Sequence, residues 1–195
     1  MTKRFKFLNL ERKQIVSNSG NLRWKIGKWN HVDGELVCCR NGLHCSKKIY
    51  EAFTYVQGEV LAVVEVKGKH ADESDKSAYS DMRIVKAYKW TKKDSVALSI
   101  FTAELCLNEY EKLYPDDKRP REAIEAARAV LLHDTAKTRS AASAAWSAAE
   151  SAWSAAESAA RSAARSAAES AAWSAAITKI EKWFVKHLLE LEEIK

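Results

Sequence analysis

From Arg139 to Ala176 the chain is written almost entirely in two letters: 38 residues hold 19 Ala and 10 Ser, with no Gly, Pro or β-branched residue. Ala is the best helix former and Ser lies a few tenths of a kcal/mol behind it, so this stretch can only be a helix or a string of helices. As one helix it would extend about 57 Å, at about 1.5 Å per residue. Serines at 140, 143, 147, 151, 154, 158 and 162 follow a 3,4,4 spacing, an eleven-residue period. From Ser162 onward the spacing is uniformly four, so the stripe precesses around the helix. Small side chains bury little apolar area but let another backbone approach closely. The stretch therefore reads as a packing rod with at least two contact faces, inside a helical bundle or between copies of the chain. Trp146 and Trp153 share one face and Trp173 points elsewhere, which makes them candidate anchors for a partner or for self-association.

The rest of the chain is organised differently. All six Gly fall at or before Gly68, and no Gly or Pro follows Pro120. Residues 1–94 carry 19 Lys and Arg against 11 Asp and Glu, whereas 95–195 carry 13 against 15. This asymmetry predicts an α+β domain over 1–94, with a small mixed or antiparallel sheet and one or two helices. An all-α module would follow over 95–195, with helices at about 95–114, 120–132, 135–176 and 177–194. No charge-free apolar run approaches the roughly 20 residues of a membrane span, and the N-terminus lacks the apolar core of a signal peptide. With four cysteines, two of them adjacent, the chain is expected in the cytoplasm, that of the host cell if a phage encodes it.

In the N-terminal part, alternating runs predict strands at Arg4 to Leu10, Gln14 to Val16, Glu35 to Cys39, Glu59 to Val66 and Met82 to Trp90. A helix over Lys47 to Val56, capped by Ser46 and ended by Gly58, stands between the third and fourth. Around it lie Cys38-Cys39-Arg40-Asn41-Gly42-Leu43-His44-Cys45, then Val64-Glu65-Val66-Lys67-Gly68 and Asp75-Lys76-Ser77-Ala78. This succession resembles a phage- and prophage-associated domain of unknown function over about residues 20–95. The resemblance brings no activity with it.

Three chemistries fit these residues. His31, Cys38, Cys39, His44 and Cys45 are the residue types that zinc prefers, but no C-x2-C pair is present, so buried thiols and a hydrogen-bonded His44 are expected instead, with no metal and no cofactor. A strand, turn, helix and later acidic strand also resemble an ADP-ribosyltransferase-like fold, in which His44, Tyr55 and Glu65 would be the catalytic candidates; Glu65 is equally suited to a salt bridge at a strand face. The third chemistry is cationic. Arg23, Trp24, Lys25, Trp29, Arg40, His44, Lys47 and Lys48 combine phosphate attraction with stacking surfaces, which suits a nucleotide-like ligand and, less directly, a nucleic acid.

In the helical part, Asp94 is expected to cap a helix to about Tyr114, and Pro120 occupies a first helical turn. The string Arg119-Pro120-Arg121-Glu122-Ala123-Ile124-Glu125-Ala126-Ala127-Arg128, followed by alanine tracts, resembles an Ala-rich immunity-protein family of bacteria and phages over about residues 100–190. Phe184, Leu188 and Leu191 fall on one stripe of a terminal docking helix that extends to Ile194. Together with the two resemblances, which alone supply the phage association, these features predict a non-enzymatic binding protein of phage type. It would act as an inhibitor or counter-defence factor that engages a host or bacterial protein or sequesters a nucleotide-like anion. Toxin immunity and an ADP-ribosyltransferase-like enzyme are the alternatives.

Overall fold

The computed structural model describes residues 2–19, 22–141, 143 and 167–195. The fold is mixed α+β and falls into two compact units. One comprises Met1–Trp90 together with Glu181–Lys195, and the other Thr91–Ile180.

The first unit is an antiparallel, nearly closed sheet. Strand β1 (Thr2–Glu11) pairs with β6 (Val60–Asp72), and β6 pairs along its other edge with β7 (Ser77–Lys89). The remaining edge of β7 is covered in succession by three short strands. These are β5 (Leu43–Cys45) opposite Ser77 to Tyr79, β4 (Asn30–His31) opposite Asp81 and Met82, and β8 (Glu193–Ile194) opposite Ala87 and Tyr88. Closure comes from Ser46, which follows β5. Phe5 N–H donates to the Ser46 carbonyl at 3.0 Å, and Ser46 N–H donates back to Phe5 at 2.9 Å. Closing a sheet removes the unpaired edges that would otherwise recruit other strands.

Because β6 is covered on both faces, its first half reads as an unbroken apolar run, Val60-Leu61-Ala62-Val63-Val64, all buried. Val60, Ala62, Val64 and Val66 point inward with Leu8, Trp24, Leu43, Cys45, Met82, Ile84 and Ala87. The opposite face carries Phe7, which lies in register with Leu61. Phe7 meets Phe53 of helix α1 (Ile49–Tyr55) at 5.2 Å between ring centroids, and Trp90 at 5.5 Å.

Beyond Leu8, β1 leaves β6 and continues with β2 (Gln14–Val16) and β3 (Arg23–Trp24) as a three-stranded ribbon. Its first turn is only two residues long, Arg12 and Lys13, with φ of 47° and 68°. Positive φ at both positions is the type I′ form of the two-residue hairpin, which usually selects Asn-Gly; an ordinary side chain there costs about 1 kcal/mol per residue.

The second unit contains α2 (Lys92–Leu113) and α3 (Arg119–Leu132), packed through Ile100, Leu107 and Ile124. Thr91, not Asp94, is the N-cap of α2. Asp94 sits three residues on and accepts the Thr91 N–H at 2.7 Å, completing a capping box. Pro120 occupies the first turn of α3 as expected from its fixed φ. Residues 136–141 are helical, and Thr135 Oγ1 accepts the N–H of Thr138 at 3.1 Å.

Helix α4 (Ala167–His187) runs without a break through Ala176 and Ile177, where the sequence predicts two helices. It ends at His187, not Ile194, because the chain then turns and Glu193–Ile194 pair with β7. The segment from Glu181 thus belongs to the sheet unit. Phe184, expected on a partner-binding stripe, is instead a core residue, 1% exposed, between Phe53 and Trp90 at 5.7 Å from each. Leu188 and Leu191 are half-buried. Most of the alanine and serine rod, including Trp146 and Trp153 and the side chain of Trp173, lies outside the described residues. Among the described residues, no helix is long and apolar enough to cross a membrane.

Candidate functional site

The inward face of β1 places a lysine where a hydrophobic residue would be expected. Lys6 is in register with Ala62 and one pleat from Leu8, so its side chain enters the sheet interior. There it borders a cavity of about 670 Å3. The other walls come from Trp24 of β3, the 39–46 segment, Tyr55 and Val56 at the end of α1, Ser17 to Ser19, and Lys76.

The 37–42 loop is built by its own backbone. Strand pairing expected for Glu35 to Cys39 is replaced by a tight turn in which Val37 N–H donates to Asn41 and Asn41 N–H returns to Val37, both at 2.9 Å. Cys39 adopts φ 66°, a left-handed conformation that interrupts any strand. Asn41 Nδ2 donates to the carbonyls of Asp33 and Glu35, 2.9 Å each. Gly42, at φ 134°, presses against Ala78, where a Cβ would lie 2.7 Å from the Ala78 Cβ. The loop therefore delivers Arg40 to the cavity on a fixed backbone, and His44 follows it on a paired strand. The strand that pairs is the next one, β5.

Lys6 Nζ donates to the His44 carbonyl at 2.7 Å and lies 5.9 Å from the Trp24 ring centroid. Burial lowers its pKa from 10.5 to about 8. Burial, then the nearby Lys6 charge, also holds His44 below the usual histidine value. Its Nε2 accepts the Cys39 N–H at 2.8 Å, so the neutral ring carries its proton on Nδ1. Burial pushes the Cys45 thiol up to about 12, which keeps it protonated. Arg4, two residues from Lys6 on the same face of β1, has a buried Nε without a hydrogen-bond partner. At the rim, Tyr55 donates to Asp75, which raises the phenol pKa, and Lys76 pairs with Glu73 at 2.9 Å. No Asp or Glu is among the described residues that line the cavity. A cationic, aromatic hollow of this kind attracts anions with a planar group.

Of the eight residues expected at a ligand site, Trp24, Arg40 and His44 line this cavity, and Arg23, Lys25, Trp29, Lys47 and Lys48 do not. Trp29 stacks instead under Lys67 (4.3 Å) and Arg83 (4.9 Å). Lys48 pairs with Glu51 at 3.4 Å. The catalytic candidates are divided: His44 and Tyr55 line the cavity, while Glu65 forms a salt bridge with Arg83 at 2.6 Å. Among the described residues, those weighed as zinc ligands form no group of three that could hold a metal ion. His31 bridges Asp81 and Asp33 at 2.9 and 3.1 Å, which raises its pKa, and the Cys38 thiol faces the Ala71 carbonyl at 3.5 Å. Lys6 itself, the central residue, is hidden in the sequence because Phe5-Lys6-Phe7 alternates like a strand with its lysine in solvent.

Residues 5–93 match the Domain of unknown function (DUF7666). The DUF7666 match takes in Lys6, the 37–42 loop, α1 and the β6–β7 hairpin, and so every element that lines the cavity. It does not reach Glu181–Lys195, which completes the sheet, nor Arg119 to Arg128, on which the likeness to immunity proteins rests. No curated protein and no solved structure matches the chain.

Proposed function

We propose that the DUF7666-like unit is a binding module that sequesters a nucleotide-like anion in the cavity around Lys6. The observation that carries this reading is the combination of a 670 Å3 hollow, cationic groups from Lys6 and Arg40, the Trp24 ring, and the lack of a lining carboxylate among the described residues. A volume of this size is typical of small-molecule sites. Lys6 uses one of its three donors on His44, leaving two for a phosphate, and Arg40 offers a planar fork at the mouth. Cys45 is held as a thiol and His44 Nε2 is committed to Cys39, an arrangement that favours holding a ligand over attacking one. The inhibitor or counter-defence role expected from the sequence would then operate by removing such a ligand from its users.

Thermal unfolding of the full chain with ATP, ADP-ribose, adenosine and inorganic phosphate tests this. Saturating phosphorylated ligand should raise Tm by about 4 °C or more, adenosine should not, and the gain should vanish in Lys6→Met. Equal shifts with adenosine and ATP, or none with any of them, would sink the reading.

A further inference from the structure

The ribbon of β1, β2 and β3 ends in a turn whose chemistry contradicts its geometry. Arg12 and Lys13 both occupy left-handed backbone, at φ 47° and 68°, in a two-residue hairpin where Asn-Gly fits without strain. Strained backbone of this kind persists where a side chain serves a purpose that the favoured residue cannot. Two cations are thereby held at the extreme tip of an element that has already left the main sheet, since β1 pairs with β6 only as far as Leu8.

The same end of the ribbon carries more positive charge. Trp24 faces Ile15, so Lys25 follows it toward Gln14 and the tip, and Arg23 reaches Gln14 with its guanidinium. Arg12, Lys13, Arg23 and Lys25 are all exposed, and none carries an ion pair among the described residues. Glu11 precedes the turn, and Glu59 is occupied in accepting the Leu10 N–H at 3.1 Å. Pairing with β3 ends at Trp24 opposite Ile15, so the tip from Glu11 to Gln14 is two-stranded, with strands about 4.8 Å apart, the ribbon that the major groove of B-DNA (about 12 Å wide) admits and the deep, narrow groove of A-form RNA excludes.

We propose that this ribbon is an arm for duplex DNA. Arg12 and Lys13 engage backbone phosphates from within the major groove, and Arg23 and Lys25 extend the contact along one strand. The contacts are to phosphates and carry no base sequence. None of Arg12, Lys13, Arg23 and Lys25 lines the cavity, although Trp24 between the last two does, and the ligand of these four cations is a polymer.

The deciding experiment is fluorescence anisotropy of the full chain with a labelled duplex of about 20 base pairs, titrated at salt concentrations from about 50 to about 200 mM. The double variant Arg12→Asn/Lys13→Gly is compared with the unaltered protein. Losing two phosphate contacts should weaken binding at least about tenfold at the lowest salt and reduce the log–log salt slope by about 2. The same variant should melt about 3 °C higher, because its turn is now unstrained. Opposite signs in binding and stability separate a functional tip from a structural one. A second variant, Arg23→Gln/Lys25→Gln, leaves the turn alone and should also weaken binding. Failure of the unaltered protein to bind at the lowest salt, unchanged affinity and slope in both variants, or equal binding to duplex RNA or heparin would each overturn the proposal.

Discussion

The Glu181 carboxylate accepts the backbone N–H groups of Ile49 at 3.0 Å and Tyr50 at 2.9 Å, across 132 residues of sequence in the first case. These are orphan donors of the first turn of α1, and Glu51 takes the Lys48 N–H at 3.1 Å beside them. A carboxylate at this end also complements the helix dipole. Glu181→Ala should therefore destabilise the sheet unit by about 1–2 kcal/mol, and Glu181→Gln by less. Amide exchange measured over residues 49–56 should accelerate in both, and unchanged exchange in Glu181→Ala would contradict the role given to this side chain.

The aromatic contacts of Phe184 extend the same dependence. Its ring is 1% exposed and lies 5.7 Å from both Phe53 and Trp90. Truncation to Ala removes a buried ring from a packed cluster, and about 3–5 kcal/mol of stability with it. A fragment ending at Asp94 lacks Phe184, Glu181 and β8 together. It should be insoluble or show no cooperative unfolding transition, whereas mixing in a 181–195 peptide should restore part of the transition.

Gly42 couples the fold to the cavity wall. Its φ is 134°, and a Cβ added to it would stand 2.7 Å from the Ala78 Cβ, which leaves no room for a side chain. Gly42→Ala forces the 37–42 loop away from β7, at a cost of about 2–4 kcal/mol from overpacking and backbone strain combined. Since Arg40 rides on that loop and His44 lies on the strand that begins just after Gly42, ligand affinity should fall further than in Arg40→Gln, which leaves the backbone in place. Calorimetric titration with ATP compares the two.

What could be read in advance follows from how local each determinant is. Val60 to Val64 announces a strand buried on both faces because five consecutive apolar residues between polar ones have few other uses. Pro120 and the Thr91 to Asp94 region mark helix starts through chemistry confined to one turn. The segment Glu35 to Cys39 alternates like a strand, yet its conformation is decided by Asn41 Nδ2 reaching two carbonyls and by the left-handed Cys39. Ile194 joins the sheet only because the edge of β7 beside Ala87 is open to it, a fact stored 107 residues away. Lys6 is the sharpest case. Its inward direction follows from register with Ala62, and nothing in Arg4-Phe5-Lys6-Phe7 distinguishes that register from its reverse.

Lys6 also gives the protein a pH dependence of determinate sign. Burial lowers its folded pKa from 10.5 to about 8, so between these values the unfolded chain binds more protons than the folded one. Stability must therefore rise with pH across that window as the burial penalty is relieved. Below about pH 8 both states are protonated and the penalty is present in full. At about 1.4 kcal/mol per pKa unit it amounts to no more than about 3.5 kcal/mol. Lys6→Met has no charge to bury, so it should be the more stable protein at pH 7, and its advantage should shrink as the pH is raised from 8 to 10.5. Chemical denaturation of both proteins across that range measures the difference directly. A bound anion should offset the same penalty by holding Lys6 protonated, so ATP affinity of the unaltered protein should weaken as the pH passes through about 8. A parallel stability profile for the two proteins would mean that the Lys6 amine is solvated and that the cavity does not enclose it.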